Sequence, residues 1–458
     1  MATPRRRPVL LGLFLLVAAG FGGWRVRADE PPDPAAVERG RRAVQEQAFL
    51  NAEWSDAAYK GVSRFWGEPA PDPDLDPEGS ACAFARRYGF HEAPFPNDGL
   101  PMGLKRSVKS DGTTRGMQVD CLVCHGGSIG GRSYVGLPNT QVDYTGFFPD
   151  LFRADGRRAP LLPFVVNTTR GTTNAGMMSI VLLSLRNPDL SFRSFPLPMG
   201  SNLPELDAPP WWVLKYKTTM YYDGRTPADS VRSIMQFLLA EKTAEEFRDL
   251  EPAFADVLAY IKSLEPPEYP FPVVADAAER GRAVFEASCA RCHGTYGENR
   301  TVDYPGVIVP LDVIGTDPAR IEGLSDRSVA HYNATWFAED HPVDVDSERG
   351  YQAPPLVGIW ASAPYLHNGS VPTLRTLLDS TSRPRRFLRP PSTAFEHYDP
   401  TNVGWTFEEV PEDAPGPKDP PRRLFDASRY GLGNGGHTFG DDLDERQRMD
   451  LIEYLKTL

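Results

Sequence analysis

Cys121-Leu122-Val123-Cys124-His125 returns later in the chain as Cys289-Ala290-Arg291-Cys292-His293, and the two copies take four of the five cysteines. Cysteines at i and i+3 of one helical turn present both thiols to the same side. There they can add to the two vinyl groups of a haem, while the adjoining histidine reaches the iron. Each copy therefore reads as a c-type haem attachment site, with Cys121, Cys124, Cys289 and Cys292 as thioether positions and His125 and His293 as proximal iron ligands. The competing reading, one zinc site made of both pairs, needs its knuckles about 15 to 20 residues apart. Here they start at 121 and 289, which sets out two modules and two covalently bound haem c groups.

Working outward, 458 residues suffice for two or three domains. A formal charge of -12 excludes a nucleic-acid partner and suits a basic redox partner protein. Arg5-Arg6-Arg7, the apolar run from Val9 to Trp24 and Val26-Arg27-Ala28 make residues 1–28 a secretory signal cleaved after Ala28 or, with Arg25 and Arg27 beside that site, an N-terminal anchor. The run is short for a bilayer span, and no other segment is a candidate. Export is what covalent haem attachment requires, so the expected location is periplasmic or extracellular, with a tether to the inner membrane if the anchor stays. Cys82 has no cysteine left to pair with and is expected to be a small buried apolar residue.

The regions around the motifs also repeat. Ala36-Val37-Glu38-Arg39-Gly40-Arg41 is echoed by Ala278-Glu279-Arg280-Gly281-Arg282, and Val257-Leu258-Ala259-Tyr260-Ile261-Lys262 by Leu451-Ile452-Glu453-Tyr454-Leu455-Lys456, the latter pair offset by 194 (257 to 451). These echoes predict two cytochrome c-like modules, each opened by one helix and closed by an amphipathic one. The boundary falls in Glu265-Pro266-Pro267-Glu268-Tyr269-Pro270, where proline forbids a continuous helix. The expected layout is a first domain over 29–265 with a large loop insertion, a proline-rich linker over 266–274 and a second domain over 275–458. The expected fold class is mainly α, with long irregular loops.

In the second module, Pro354-Pro355-Leu356-Val357-Gly358-Ile359-Trp360-Ala361-Ser362-Ala363-Pro364-Tyr365-Leu366-His367-Asn368-Gly369 resembles a segment of the bacterial dihaem cytochrome c peroxidase and methylamine-utilisation families. Gly431-Leu432-Gly433-Asn434-Gly435-Gly436-His437, shortly before a closing Glu-Tyr-Leu-Lys-Thr-Leu helix, looks still more like the rubber oxygenase group of dihaem cytochromes. Tyr221-Tyr222 stands where that group tends to have Phe-Trp. The resemblance implies haem-dependent oxidation chemistry and leaves the substrate open.

The sixth ligand of each iron decides between relay and reaction site. No methionine lies between Met235 and Met449, so the second haem must take a histidine from among His331, His341, His367, His397 and His437. His437 is the first choice, because a glycine-rich turn ahead of the closing helix can carry a ring over the haem and because the resemblance places a ligand there; His367 is second. Subtracting the 194-residue offset from 437 lands on Thr243, beside Lys242, so the first module has no histidine in that place. His91, Lys242, Met177, Met178, Met199, Met220 and Met235 remain as alternatives. The simplest reading is an open position roofed by the apolar stretch from Ile234 to Leu239, with Phe237 and Tyr222 as distal-pocket side chains and Arg132 as a candidate for a haem propionate. Two functions follow: a haem-based oxidoreductase of oxygenase or peroxidase type, taking a small oxidant or organic substrate, or an electron carrier with both haems six-coordinate.

Overall fold

The computed structural model describes residues 32–160, 166–297, 301–344, 347–414 and 422–458, and the signal or anchor expected over 1–28 falls outside them. Six helices position the site: α1 (Pro34–Glu46), α2 (Ala175–Ser184), α3 (Ala244–Ser263), α4 (Ala275–Ser288), α5 (Leu374–Leu377) and α6 (Glu445–Leu455). Their starts are written in the sequence. Asp33 caps α1 with Pro34 at its first position, while Thr243 with Glu246 and Asp444 with Gln447 form capping boxes for α3 and α6.

α1 packs on α3 and α4 packs on α6, and the two crossings match residue by residue. A Cβ on Gly40 would lie 1.9 Å from the Asp256 carbonyl oxygen, and one on Gly281 would lie 1.9 Å from that of Asp450. Glycine thus brings the paired helices into backbone contact. The preceding arginine closes on the carboxylate of the same aspartate: Arg39 Nε to Asp256 Oδ2 at 2.7 Å and Arg280 Nε to Asp450 Oδ2 at 2.7 Å. The helical echoes read from the sequence are therefore one structural unit used twice.

A further repeat joins them. Ala208-Pro209-Pro210 and Ala353-Pro354-Pro355 are offset by 145 (208 to 353), and from each the chain runs the same distance to Gly224 and Gly369. Both segments turn alike. Tyr221 and Leu366 have φ of 67° and 64°, Gly224 and Gly369 have 61° and 65°, and the pairing of Met220 with Thr226 is matched by that of Tyr365 with Val371. The segments also meet. Asp207 N donates to His367 O at 2.9 Å and Gln352 N donates to Tyr222 O at 2.7 Å, which is one bond made in both directions between equivalent residues. Tyr222 and His367, themselves equivalent, lie with ring centroids 6.1 Å apart, and Trp212 Nε1 donates at 2.8 Å to the carbonyl of its own equivalent, Val357. Reciprocal contacts of this kind define an approximate twofold seam.

The fold is mixed rather than mainly α: helix is 38% and strand 13%, and the strands form small antiparallel sheets of two or three. With 45 prolines and 40 glycines, the chain between helices is broken into short hairpins, each too brief to show a periodicity. The insertion of the first module packs around Trp54, Phe84 and Phe147 and reaches the first motif through Val123. The second module also crosses onto the first, where Arg422 pairs with Asp143 and Thr393 meets Ser128. Cys82 corrects the expectation made for it: it is exposed, on the outer side of the helix Pro77–Tyr88.

Candidate haem-binding site

Each motif forms a single helical turn, Leu122–His125 and Ala290–His293, and each histidine is tied back in the same way. His125 Nδ1 lies 3.1 Å from Pro209 O and His293 Nδ1 lies 2.8 Å from Pro354 O. A carbonyl only accepts, so Nδ1 holds the proton and Nε2 presents its lone pair. Burial lowers the pKa of His125 to about 4 and lowers that of His293 also, so both rings are neutral at pH 7. This is the state and orientation that binds a metal. The anchoring prolines are equivalent members of the 145-offset repeat. The recurring Ala-Pro-Pro was the signal that marked them in the sequence.

The four motif cysteines form no disulfide with one another and lie in two separate pairs. Among the described residues no group of three or more His, Cys, Asp or Glu side chains is disposed to hold a metal ion, so the two pairs are not gathered into one zinc centre.

His437 faces His293, with ring centroids 6.2 Å apart and planes at 59°. Two imidazoles on opposite sides of one metal, each bonded at about 2 Å with its ring centre about 1 Å further back, have centroids about 6 Å apart. The separation suits a shared iron. His437 has φ 46°, rare for a residue with a side chain, and its N donates to Ile314 O at 2.7 Å. Its Nδ1 is buried without a protein partner. His367, the second choice, is stacked on Tyr351 at 4.2 Å with Nε2 3.1 Å from the Tyr351 hydroxyl; it belongs to the seam.

Among the described residues the first module has no such facing ring. The ring against His125 is that of Trp211, stacked at 5.0 Å and 27°. Thr243, reached by subtracting 194, is the cap of α3, and its hydroxyl accepts from Glu246 N. The subtraction fails for a physical reason: the offset is 145 at the seam and 194 in the closing helices, so the second module gains chain between them. The first copy spends 228–243 on this stretch and the second 373–444, and His437 lies in the added length.

The other candidate ligands are mostly engaged. His91 has both ring nitrogens bonded, to Asn139 Oδ1 at 3.1 Å and Ser128 Oγ at 2.9 Å. Lys242 pairs with Glu241 and Glu246. Met177 Sδ accepts from Leu203 N at 3.2 Å, and Met199, Met220 and Met235 are buried among apolar residues. His331 Nε2 lies against the carbonyls of Leu183 and Arg186, and His397 pairs with Glu396. Met178 is half-buried on α2, a helix apolar on all sides yet only partly covered by protein.

Phe237 and Tyr222 are not brought together. Phe237 lies on the 3-10 helix Arg232–Ala240 with its ring 6.0 Å from Phe254, in the first module's apolar cluster with Ile180 of α2. Tyr222 instead lies at the seam, its hydroxyl donating to Asp207 O at 2.9 Å, and packs with Val309 and Tyr351. Tyr221, in the left-handed turn beside it, is the residue whose hydroxyl reaches the Phe237 helix, donating to Ser233 O at 3.2 Å. Arg132 is exposed, over the Tyr134 ring at 5.1 Å.

Residues 350–388 match the model of the family described as RoxA-like, cytochrome c-like, so the resemblance drawn from the second-module motifs stands. The match supports haem c as cofactor and a haem-based redox function. Two curated proteins of Sinorhizobium fredii (strain NBRC 101917 / NGR234) are similar. Uncharacterized protein y4iM is 30% identical over 240 residues, covering 44% of this chain and 53% of the relative. Uncharacterized protein y4iJ is 29% identical over 262 residues, covering 43% and 41%. The chain thus spans about half the length of the curated relatives it matches. Among solved structures, a MauG-like protein associated with microbial copper homeostasis aligns at 17% identity and TM-score 0.29, covering 61% of this chain and 87% of that one. The hydrazine synthase of Kuenenia stuttgartiensis aligns at 16% and 0.27, with the same coverages. At such TM-scores no residue correspondence is drawn from either.

Proposed function

We propose that the chain is an exported dihaem c-type cytochrome acting as an oxidoreductase of oxygenase or peroxidase type. One haem is joined to Cys121 and Cys124, with His125 as proximal ligand and the opposite position open. The other is joined to Cys289 and Cys292, closed by His293 and His437, and serves as electron relay. The observation that carries this reading is an asymmetry: the His293 ring faces an imidazole at 6.2 Å, whereas the ring against His125 is an indole stacked on it. An open haem supplies activation of a small oxidant, and one closed by two imidazoles supplies electron transfer alone.

The chain's own residues prepare these roles. Pro209 and Trp211 fix the His125 ring, and Pro354 fixes His293. Phe237 and Ile180 share an apolar cluster that keeps water from the first module's interior. The acidic surface suits a basic redox partner, the site of action lies outside the cytoplasm, and the modules are 29–265 and 275–458 about the 266–274 linker.

A carrier with both irons six-coordinate is the second reading, and Met178 on α2 is the residue that favours it. A pyridine haemochrome assay should find two covalently bound haems per chain, and the reduced protein should bind carbon monoxide at one of them. If neither haem takes carbon monoxide, and Met178→Ala then opens one, the carrier reading replaces the enzyme.

A further inference from the structure

We propose that Arg383 is the positioning residue that holds His437 on the axis of His293, so that the sixth ligand of the second haem does not exchange. This rests on the reading of that haem as closed by His293 and His437.

A guanidinium has five N–H donors in a fixed fork, and in Arg383 all five are used on backbone carbonyls. Nε donates to Thr376 O at 3.2 Å, Nη1 to Asn434 O at 2.8 Å and Gly436 O at 2.6 Å, and Nη2 to Leu377 O at 2.9 Å and His437 O at 3.1 Å. Two acceptors lie at or beside the C-terminal end of α5, where helix carbonyls lack partners. Closing α5 would need only those two. The other three bonds reach the loop that carries His437 and end on His437 itself.

That loop needs holding. Gly431, Gly433, Gly435 and Gly436 give it wide conformational freedom, and His437 sits in the left-handed region. Asn368, fully buried, fixes the near end, its Nδ2 donating to Gly431 O at 3.0 Å and Gly433 O at 2.8 Å. Arg383, also buried, fixes the far end. It makes none of its hydrogen bonds to a carboxylate, so its donors are committed to backbone dipoles. A lysine brings three donors on one point and cannot span the same set.

The test uses the full-length, haem-loaded protein and the variants Arg383→Gln, Arg383→Lys and His437→Ala. Haem content comes from the pyridine haemochrome assay, ligation from electron paramagnetic resonance of the ferric state and carbon monoxide titration of the ferrous state. The expected result is that His437→Ala opens the second haem, and that both Arg383 variants keep two haems yet take up a second equivalent of carbon monoxide and lose part of the two-imidazole low-spin signal. If His437→Ala leaves the spectra unchanged, the ligand reading fails and the proposal with it. If His437→Ala opens the haem while both Arg383 variants titrate like the wild type, the positioning role alone is overturned. It is overturned equally if both variants lose haem or fail to fold, since Arg383 would then hold the fold and not the ligand.

Discussion

His91 shows how one buried side chain sets a dependence on pH. Asn139 Nδ2 donates to the carbonyls of Gly89 and Val123, which turns its Oδ1 toward His91 Nε2 as an acceptor, and leaves Nδ1 to accept from Ser128. The ring is neutral, and burial lowers its pKa to about 4. Below about pH 6.5 the unfolded chain takes up a proton that the folded chain refuses. The stability present above that pH is therefore lost as pH falls toward 4, by about 3 kcal/mol for this residue. Urea midpoints at pH 7 and pH 4.5 should differ less in His91→Gln than in the wild type; equal differences would contradict this. At this scale the two Cys-x-x-Cys-His motifs were legible outright, because the motif fixes its own spacing. His437 was legible through its glycines. Pro209 and Pro354 act through backbone carbonyls, which leave no mark in side-chain chemistry, and the turn that sends Tyr222 to the seam and Tyr221 toward the Phe237 helix has no periodicity to read.

The paired helices place their tightest constraint on two glycines. Gly281→Ala sets a methyl 1.9 Å from the Asp450 carbonyl oxygen, against helix backbone that has no rotamer to yield. It should cost about 2 kcal/mol, in the range of other overpacked contacts, and Gly40→Ala should cost a similar amount against Asp256. Removing the half-exposed Arg280 guanidinium beside the same aspartate should cost less. Denaturant midpoints of the haem-loaded protein would check the order, and a Gly281→Ala variant as stable as the wild type would refute it. These helices were legible because both copies keep their apolar spacing and their Arg-Gly pair. The position opposite His125 was not legible by subtraction, because the spacing between equivalent elements changes along the chain, and only the folded molecule shows where the second copy is longer.

The seam governs the molecule as a whole. Its backbone bonds, the Trp212 to Val357 bond and the Tyr222 to His367 contact are shared between modules, so neither module keeps its buried polar groups satisfied if the other unfolds. Denaturation followed separately by a probe placed in each module should give one transition; two resolved transitions would show that the modules stand independently. Two modules were legible in the repeats, while the seam between them was not, since its bonds are largely backbone to backbone. A contact made in both directions by equivalent residues is the geometry that a symmetric pair of subunits would keep if joined in one polypeptide. Halves joined in this way need not stay alike, and a loop such as the one that carries His437 can be gained by one half alone. Divergence of the two halves then needs an insertion, not a new fold.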